Sequence, residues 1–411
     1  MNFKTIVKKI IPSSLLEFYH YILALLGAVI FLFPSRNLTV IGVTGTSGKS
    51  TTVDFIARIL EEAGKKVVSN SSIRFKVAKK EWPNNLKMGM PGRFFMQKPL
   101  RQGMRAGCSF AVLEITSEGI RQFRHKFINF DTAVFTNLTP EHIESHGSFE
   151  NYRNEKLKLF KATKNVHVIN TDDENSKYFM DVPVNKKITF GLESGNFNLK
   201  NTKFKLNLLG NFNYYNALAA IAAAQNYGIS LKTCKRALEK IKAIPGRMEI
   251  VSKNPLVVVD YAHTPAQLEE AYRSLINLKS KILNRKLICV LGSCGGGRDK
   301  WKRPVLGKIA EQYCKEIILT NEDPYDESPS QILSDIKSGI PNSQFPILNL
   351  YEILDRKEAI KKAIQMAKPK DAVIITGKGS ESSMCLENGK KISWDDREIA
   401  KGAIKLLFSR F

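Results

Sequence analysis

Val40-Ile41-Gly42-Val43-Thr44-Gly45-Thr46-Ser47-Gly48-Lys49-Ser50-Thr51-Thr52 passes from an apolar strand through a glycine-rich turn into the start of a helix. Backbone N–H groups of Gly45, Thr46, Ser47 and Gly48 can wrap phosphates, Lys49 can reach the β and γ oxygens, and a hydroxyl of Ser50 or Thr51 can hold Mg²⁺. The usual G-x-x-x-x-G-K-[ST] spacing has Val43 in its first glycine position, with Gly45 the nearer glycine. A surface turn does not need Gly, Lys and three consecutive hydroxyls directly behind such a strand. The run is therefore read as a phosphate loop.

Outward from this loop the chain alternates β and α. Phe110–Ile115 reads as a buried strand carrying Glu114 near its end, and Thr132–Asn137 as another. An alanine-rich helical stretch spans 211–227, and Ile244-Pro245-Gly246-Arg247 punctuates the chain as a hinge. Beyond it, four short apolar strands at 256–260, 286–291, 316–320 and 372–376 alternate with helical stretches. The expected fold is α/β: a central phosphate-loop ATPase domain with a mostly parallel sheet over 38–244, and a C-terminal Rossmann-like α/β domain over 245–411.

With 63 Lys+Arg against 39 Asp+Glu, the formal charge of +24 suits anionic ligands. No basic motif interleaved with aromatics marks a nucleic-acid module, and no nucleic-acid partner is expected. The six cysteines never form a C-x-x-C pair, which argues against a zinc knuckle or a disulfide framework and fits a reducing cytoplasm. Residues 1–37 form an apolar leader: Lys8 and Lys9 precede Leu15–Phe33, whose part from Tyr21 on carries no charge. No small-residue cleavage site follows, so export is not expected. The leader reads equally as a helix docked on the protein or one lying on or in the inner face of the membrane.

Further motifs carry a resemblance. Pro245-Gly246-Arg247-Met248-Glu249, Val259-Asp260-Tyr261-Ala262-His263-Thr264-Pro265, the Gly295–Pro304 run with Arg298, Gly377-Lys378-Gly379-Ser380-Glu381 and Thr136–Gly147 together resemble the Mur ligases. The wording is most similar to members that add the third amino acid to a UDP-linked muramoyl-dipeptide. The resemblance covers about residues 38–400. It implies ATP-dependent amide formation through an acyl phosphate, with a muropeptide and diaminopimelate or lysine as small-molecule substrates, by a monomer. It also implies roles for residues at matching positions. Lys49, Glu114, His142 and Lys156 would serve catalysis. Ser50, Glu114, His142 and Lys156 would serve Mg²⁺, with Lys156 carbamylated to an oxygen donor. Asn213 and Asn216 would lie near the nucleotide, and Arg247, Asp260 and Arg298 would approach the nucleotide or the incoming amino acid once the domain closes. Asp323, Lys378 and Glu381 would read the amino acid.

The residues also admit plainer roles: a strand-end carboxylate for Glu114, a capping histidine for His142, a surface helix lysine for Lys156 and helix N-caps for Asn213 and Asn216. The chain departs from the family pattern in three places. About 40 residues precede the phosphate loop, too few for a separate uridine-binding domain. Gly89-Met90-Pro91 stands where relatives read Thr-Thr-Pro, and Glu322-Asp323-Pro324-Tyr325 stands for the Asp-Asn-Pro-Arg that selects diaminopimelate. A lipid-linked acceptor, a folylpolyglutamate- or cyanophycin-type ligase, and a non-catalytic nucleotide-binding scaffold remain the alternative readings.

Overall fold

The computed structural model describes residues 12–279, 286–340 and 349–408. Lys8, Lys9 and the rest of the first eleven residues of the expected leader lie outside them. The chain divides into two compact units, one made of 1–138, 150–205 and 214–240, the other of 139–149, 206–213 and 241–411. The last change of unit falls at 240/241, where the sequence reading divides the chain at 244/245. Two short excursions, carrying His142 and Asn213, go to the second unit, and the leader belongs to the first.

The first unit is built on an eight-stranded sheet in the order β4-β3-β2-β5-β1-β6-β7-β8. The strands are β1 (Thr39–Thr44), β2 (Val67–Asn70), β3 (Arg74–Val77), β4 (Lys80–Pro83), β5 (Phe110–Glu114), β6 (Phe130–Phe135), β7 (Val166–Asn170) and β8 (Lys186–Phe190). All pair in parallel except β3 and β4, which close one edge as an antiparallel meander. The parallel strands are continuous hydrophobic runs because helices cover both of their faces. β1 lies between β5 and β6, with Val43 opposite Glu114 and Thr44 opposite Phe135. The chain runs outward from β1 in both directions, so the turn after β1 sits at the switch point where open α/β sheets bind ligands.

The longer helices of this unit are α1 (Ser13–Ile30), α2 (Lys49–Glu62), α3 (Arg93–Arg105), α4 (Phe149–Ala162), α5 (Phe212–Gln225, from Tyr214 on) and α6 (Leu231–Glu239). The alanine-rich stretch becomes α5, and Ala217–Ala224 are completely buried there, small side chains letting the backbone approach its neighbours closely. The leader forms α1 and is docked. Ala24 and Ala28 are buried, Arg93 on α3 donates through Nε to the His20 carbonyl at 3.2 Å, and Tyr21 meets the Phe123 and Phe127 rings edge-on. Among the described residues no helix is long and apolar enough to cross a membrane.

The second unit carries a six-stranded sheet ordered β13-β12-β11-β14-β10-β9, from β9 (Glu249–Lys253), β10 (Leu256–Val259), β11 (Leu287–Leu291), β12 (Glu316–Leu319), β13 (Asn349–Glu352) and β14 (Ala372–Ile375). Only β9 is antiparallel. Helices α7 (Pro265–Lys279) and α8 (Lys302–Tyr313) pack on one face, and α9 (Arg356–Met366) and α10 (Asp396–Phe408) on the other, each over its own apolar cluster. No disulfide joins the six cysteines.

At the carboxyl end of this sheet Arg356 is fully buried. Its Nε and Nη2 hold both oxygens of Asp396 at 2.9 and 2.7 Å, and Nη2 and Nη1 also donate to the carbonyls of Thr376 and Asn321. Removing one member of a fully buried pair leaves the other charge without compensation. Arg356→Ala is expected to lower unfolding stability by about 3–5 kcal/mol, read from the midpoint of urea denaturation.

Candidate active site

The phosphate loop is held open from below. Gly45 approaches β6 so closely that a Cβ there would lie 2.0 Å from Thr136 Oγ1. The Thr46 N–H donates to the Asn137 carbonyl at 2.9 Å, Asn137 Oδ1 accepts from the Ser47 N–H and hydroxyl, and Thr136 Oγ1 donates to the Ser47 carbonyl at 2.7 Å. Gly48 caps α2 with φ of 78°, a left-handed conformation, and a Cβ on it would strike Asn216 Oδ1 on α5. The amides at the start of α2 therefore point from an uncapped helix end, a favourable place for an anion. Lys49 curls back over the loop and donates through Nζ to the Thr46 carbonyl at 2.7 Å.

Glu114 ends β5 beside this turn and is 4% exposed. Its Oε2 accepts from Ser50 Oγ at 2.7 Å and from the Ser72 N–H at 2.8 Å, while a Cβ on Gly89 would lie 2.4 Å from Oε1. Lys156, on α4, is buried beneath the loop and donates to the Gly45 carbonyl at 2.7 Å, with Nζ 4.5 Å from the Tyr152 ring centroid. Tyr152 hydroxyl meets Thr46 Oγ1 at 3.0 Å. Burial, reinforced by the charge of Lys49 and opposed by Glu114, drives the Lys156 amine well below its ordinary pKa. Lys49, Ser50, Glu114 and Lys156 are thus gathered around one turn. Asn216 is on this unit too.

His142 and Asn213 belong to the second unit. His142 has φ of 58° and precedes the short helix Ile143–His146. The Asp299 carboxylate accepts from the Ile143 and Glu144 amides, Glu144 accepts from the Lys300 amide, and Glu141 pairs with Lys302 at 3.0 Å in a buried bridge. Asn213 donates through Nδ2 to the Leu209 carbonyl. Asp260 accepts from the Met248 and Ala262 amides at 2.7 Å each, fastening the 244–248 turn to the end of β10. Arg247 lies over the Tyr261 ring at 4.1 Å, and Arg298 is exposed on its glycine-rich loop.

At the end of the second sheet, buried Lys378 donates to Asp323 Oδ1 at 3.0 Å and Glu381 Oε2 at 2.9 Å, and Asp323 also accepts from the Cys385 amide. Tyr325 packs beside Gly296 with φ of 52°. Sequence reasoning missed several members of these sites. Thr136, Asn137, Tyr152, Ser72 and Gly89 surround the phosphate loop. Thr136 and Asn137 end the strand expected at 132–137 and open the Thr136–Gly147 motif, and polar residues at a strand end are the signal that could have flagged them. Glu322 was missed as well. It is buried, its Oε2 lacks a hydrogen-bond partner, and desolvation raises its carboxyl to about 7 despite Arg356 and Lys378.

The Mur ligase middle domain family matches residues 43–224, and the family described as Mur ligase, glutamate ligase domain, matches 246–379. The UDP-N-acetylmuramoyl-L-alanyl-D-glutamate–2,6-diaminopimelate ligase of Clostridium botulinum is 36% identical over 407 residues, covering 93% of this chain and 81% of that protein. The chain belongs to the Mur ligase family. A solved UDP-N-acetylmuramoyl-L-alanyl-D-glutamate–2,6-diaminopimelate ligase superposes on this Mur ligase with a TM-score of 0.59 at 29% identity, over 90% of this chain and 79% of that one. Escherichia coli FolC, solved in complex with ADP, shares the fold with a TM-score of 0.68 at 20% identity, over 94% of this chain and 93% of that one. Like its family, this Mur ligase is an ATP-dependent, ADP-forming ligase.

Glu322 has a pH signature. With its folded pKa raised to about 7 from 4.5, the folded chain keeps a proton that the unfolded chain has lost, so stability falls as pH rises across that window. Glu322→Gln is expected to leave stability near pH 4 little changed and to raise it at pH 8 by on the order of 3 kcal/mol, as read by denaturant titration at the two pH values.

Proposed function

We propose that this Mur ligase joins a diamino acid, diaminopimelate or lysine, to the terminal carboxylate of a muramoyl-dipeptide. The carboxylate oxygen attacks the γ-phosphorus of ATP and ADP leaves. The incoming amine then attacks the carbonyl carbon of the acyl phosphate, and inorganic phosphate departs as the amide forms and the amine loses its proton. The observation that carries this reading is the grouping of Lys49, Ser50, Glu114 and Lys156 around the turn after β1.

The reaction brings two anions together, so the chain's work is to neutralise and to position. Lys49 sets a cation beside the turn that would receive the triphosphate, and the loop amides supply donors at the end of α2. Ser50 Oγ and Glu114 Oε2, 2.7 Å apart and buried, form a hard-oxygen set that fits Mg²⁺. When bound, the ion would polarise the phosphoryl oxygens. Lys156 is proposed to be carbamylated. Burial lowers the pKa of its amine and so favours the neutral form, which attacks the carbon of carbon dioxide; the N–C bond forms, the nitrogen gives up a proton, and the carbamate offers two oxygens in place of the ammonium. His142 is proposed as a further metal ligand. Asn213, Asn216, Arg247, Asp260 and Arg298 are proposed to serve the nucleotide or the incoming amino acid.

Asp323, Lys378 and Glu381 are proposed to read the added amino acid. Here a specific observation favours lysine over diaminopimelate. The two carboxylates of Asp323 and Glu381 share the ammonium of Lys378, and position 325 offers a phenol where a guanidinium would grip a distal carboxylate. A side chain ending in a cation suits these surroundings better than one ending in an anion.

Lys49→Ala is expected to lower ligation by roughly 100-fold or more with the fold retained, measured as ADP release dependent on UDP-linked muramoyl-dipeptide. Lys156→Ala is expected to lose activity similarly and to regain part of it with added acetate or formate. Failure of that rescue would remove the carbamate. Product masses from the enzyme, ATP, the muropeptide and pooled amino acids are expected to show lysine incorporated ahead of diaminopimelate; no new amide with any amino acid would overturn the reading as a whole.

A further inference from the structure

Helix α1 is apolar on both sides, yet only one side is covered. Ala24, Gly27 and Ala28 face the protein. On the other side Leu15 is 58% exposed, Phe18 62%, Ile30 61% and Leu32 in the following turn 63%, with Tyr19, Leu26 and Val29 also open. Positions 15, 18, 19, 26, 29 and 30 follow the three- and four-residue spacing of one helical stripe. Phe94 and Phe95 are also exposed on α3, the helix that packs against α1. A helix that is hydrophobic all round is normally buried, and a contiguous exposed patch of this kind marks an interaction site.

The charge around the patch says what it meets. The elements packed beside α1 carry exposed or half-exposed Arg36, Lys98, Arg101, Arg105, Arg121 and Lys126, with Arg93 bonded to the helix itself. Across 12–37, 93–106 and 117–127 the acidic residues are only Glu17 and Glu118. The sequence immediately before α1 adds Lys4, Lys8 and Lys9. Aromatic and aliphatic side chains on one face, flanked by a surplus of cations, are what a helix lying in the headgroup layer of an anionic bilayer presents. The helix is fastened along α3 by Arg93 and the buried alanines, and it is not of spanning character. We propose that the free face of α1, with Phe94 and Phe95, docks this ligase on an anionic lipid surface.

On the membrane, the side chains at 15, 18, 26, 29 and 30 enter the acyl boundary while the basic residues meet lipid phosphates. This inference does not rest on the identity of the amino acid added or on how the acceptor is carried. It concerns a face of the first unit that contains none of the loop residues.

The test is flotation of the full chain with vesicles. Binding to phosphatidylglycerol-containing vesicles is expected, with at least tenfold weaker binding to pure phosphatidylcholine and a decline as salt increases. The double variant Phe18→Asp/Leu26→Asp is expected to lose at least tenfold in vesicle binding, and Lys98→Glu/Arg105→Glu severalfold. Both should melt as the parent does and keep its ATP-dependent ligation of soluble substrate, because the substituted side chains are solvent-exposed. Absence of binding to anionic vesicles, or equal binding by the apolar-face variant, would overturn the proposal. So would a concentration-dependent dimer in light scattering that Phe18→Asp/Leu26→Asp abolishes, since a second copy would then be what covers the face.

Discussion

The carboxylate of Glu114 is the constraint around which the first unit is arranged. A charge at 4% exposure is costly unless it is satisfied, and here the satisfaction comes from the phosphate-loop helix through Ser50 and from the Ser72 amide after β2. Those two bonds fix the loop against the neighbouring strand end. They also leave no room for a side chain at Gly89. Lys156 completes the arrangement from below, a second buried ionisable group, which tethers the Gly45 carbonyl and is itself driven toward neutrality. An uncapped helix end, the Ser50–Glu114 oxygen pair and a buried amine share one small volume because the sheet order places β5, β1 and β6 side by side.

Much of this was legible in the sequence. Continuous apolar runs announced the parallel strands, and Glu114 stood out because a charge closing four apolar residues needs a partner. The strand expected at 132–137 runs over Phe130–Phe135; the Thr136 amide still bonds to the Thr44 carbonyl of β1, and the next carbonyl, of Asn137, turns to accept from the Thr46 amide of the loop. The burial of Lys156 was not legible from its own helix, where a lysine among polar neighbours reads as solvated. It depends on Tyr152 and on a carbonyl more than a hundred residues away. The resemblance to a family supplied that residue; periodicity could not.

The second unit was read correctly as a parallel sheet with loops at its carboxyl end. Its antiparallel edge strand β9 was not foreseen, since Glu249–Lys253 carries no apolar run to mark it. Glu322 shows the same limit in another form. Its neighbours in sequence look like a polar turn, and its isolation arises from contact with Gly377 and from competition with Asp323 and Glu381 for the nearby cations. Asp260 carries a double meaning. The sequence marks it as a ligand-approaching acid, and the structure shows its oxygens engaged by backbone amides that hold a turn together.

The interleaving of the chain has an evolutionary consequence. Because the path changes unit after residues 138, 149, 205, 213 and 240, neither body is a contiguous stretch of gene. Recombination with a relative at residue 241 would transplant the second sheet while leaving two of its pieces, 139–149 and 206–213, with the old parent. Those pieces include the amides capped by Asp299 and the partner of Lys302. Homologous exchange within this fold is therefore expected to respect co-inheritance of three separate segments, which ties the histories of the two halves together.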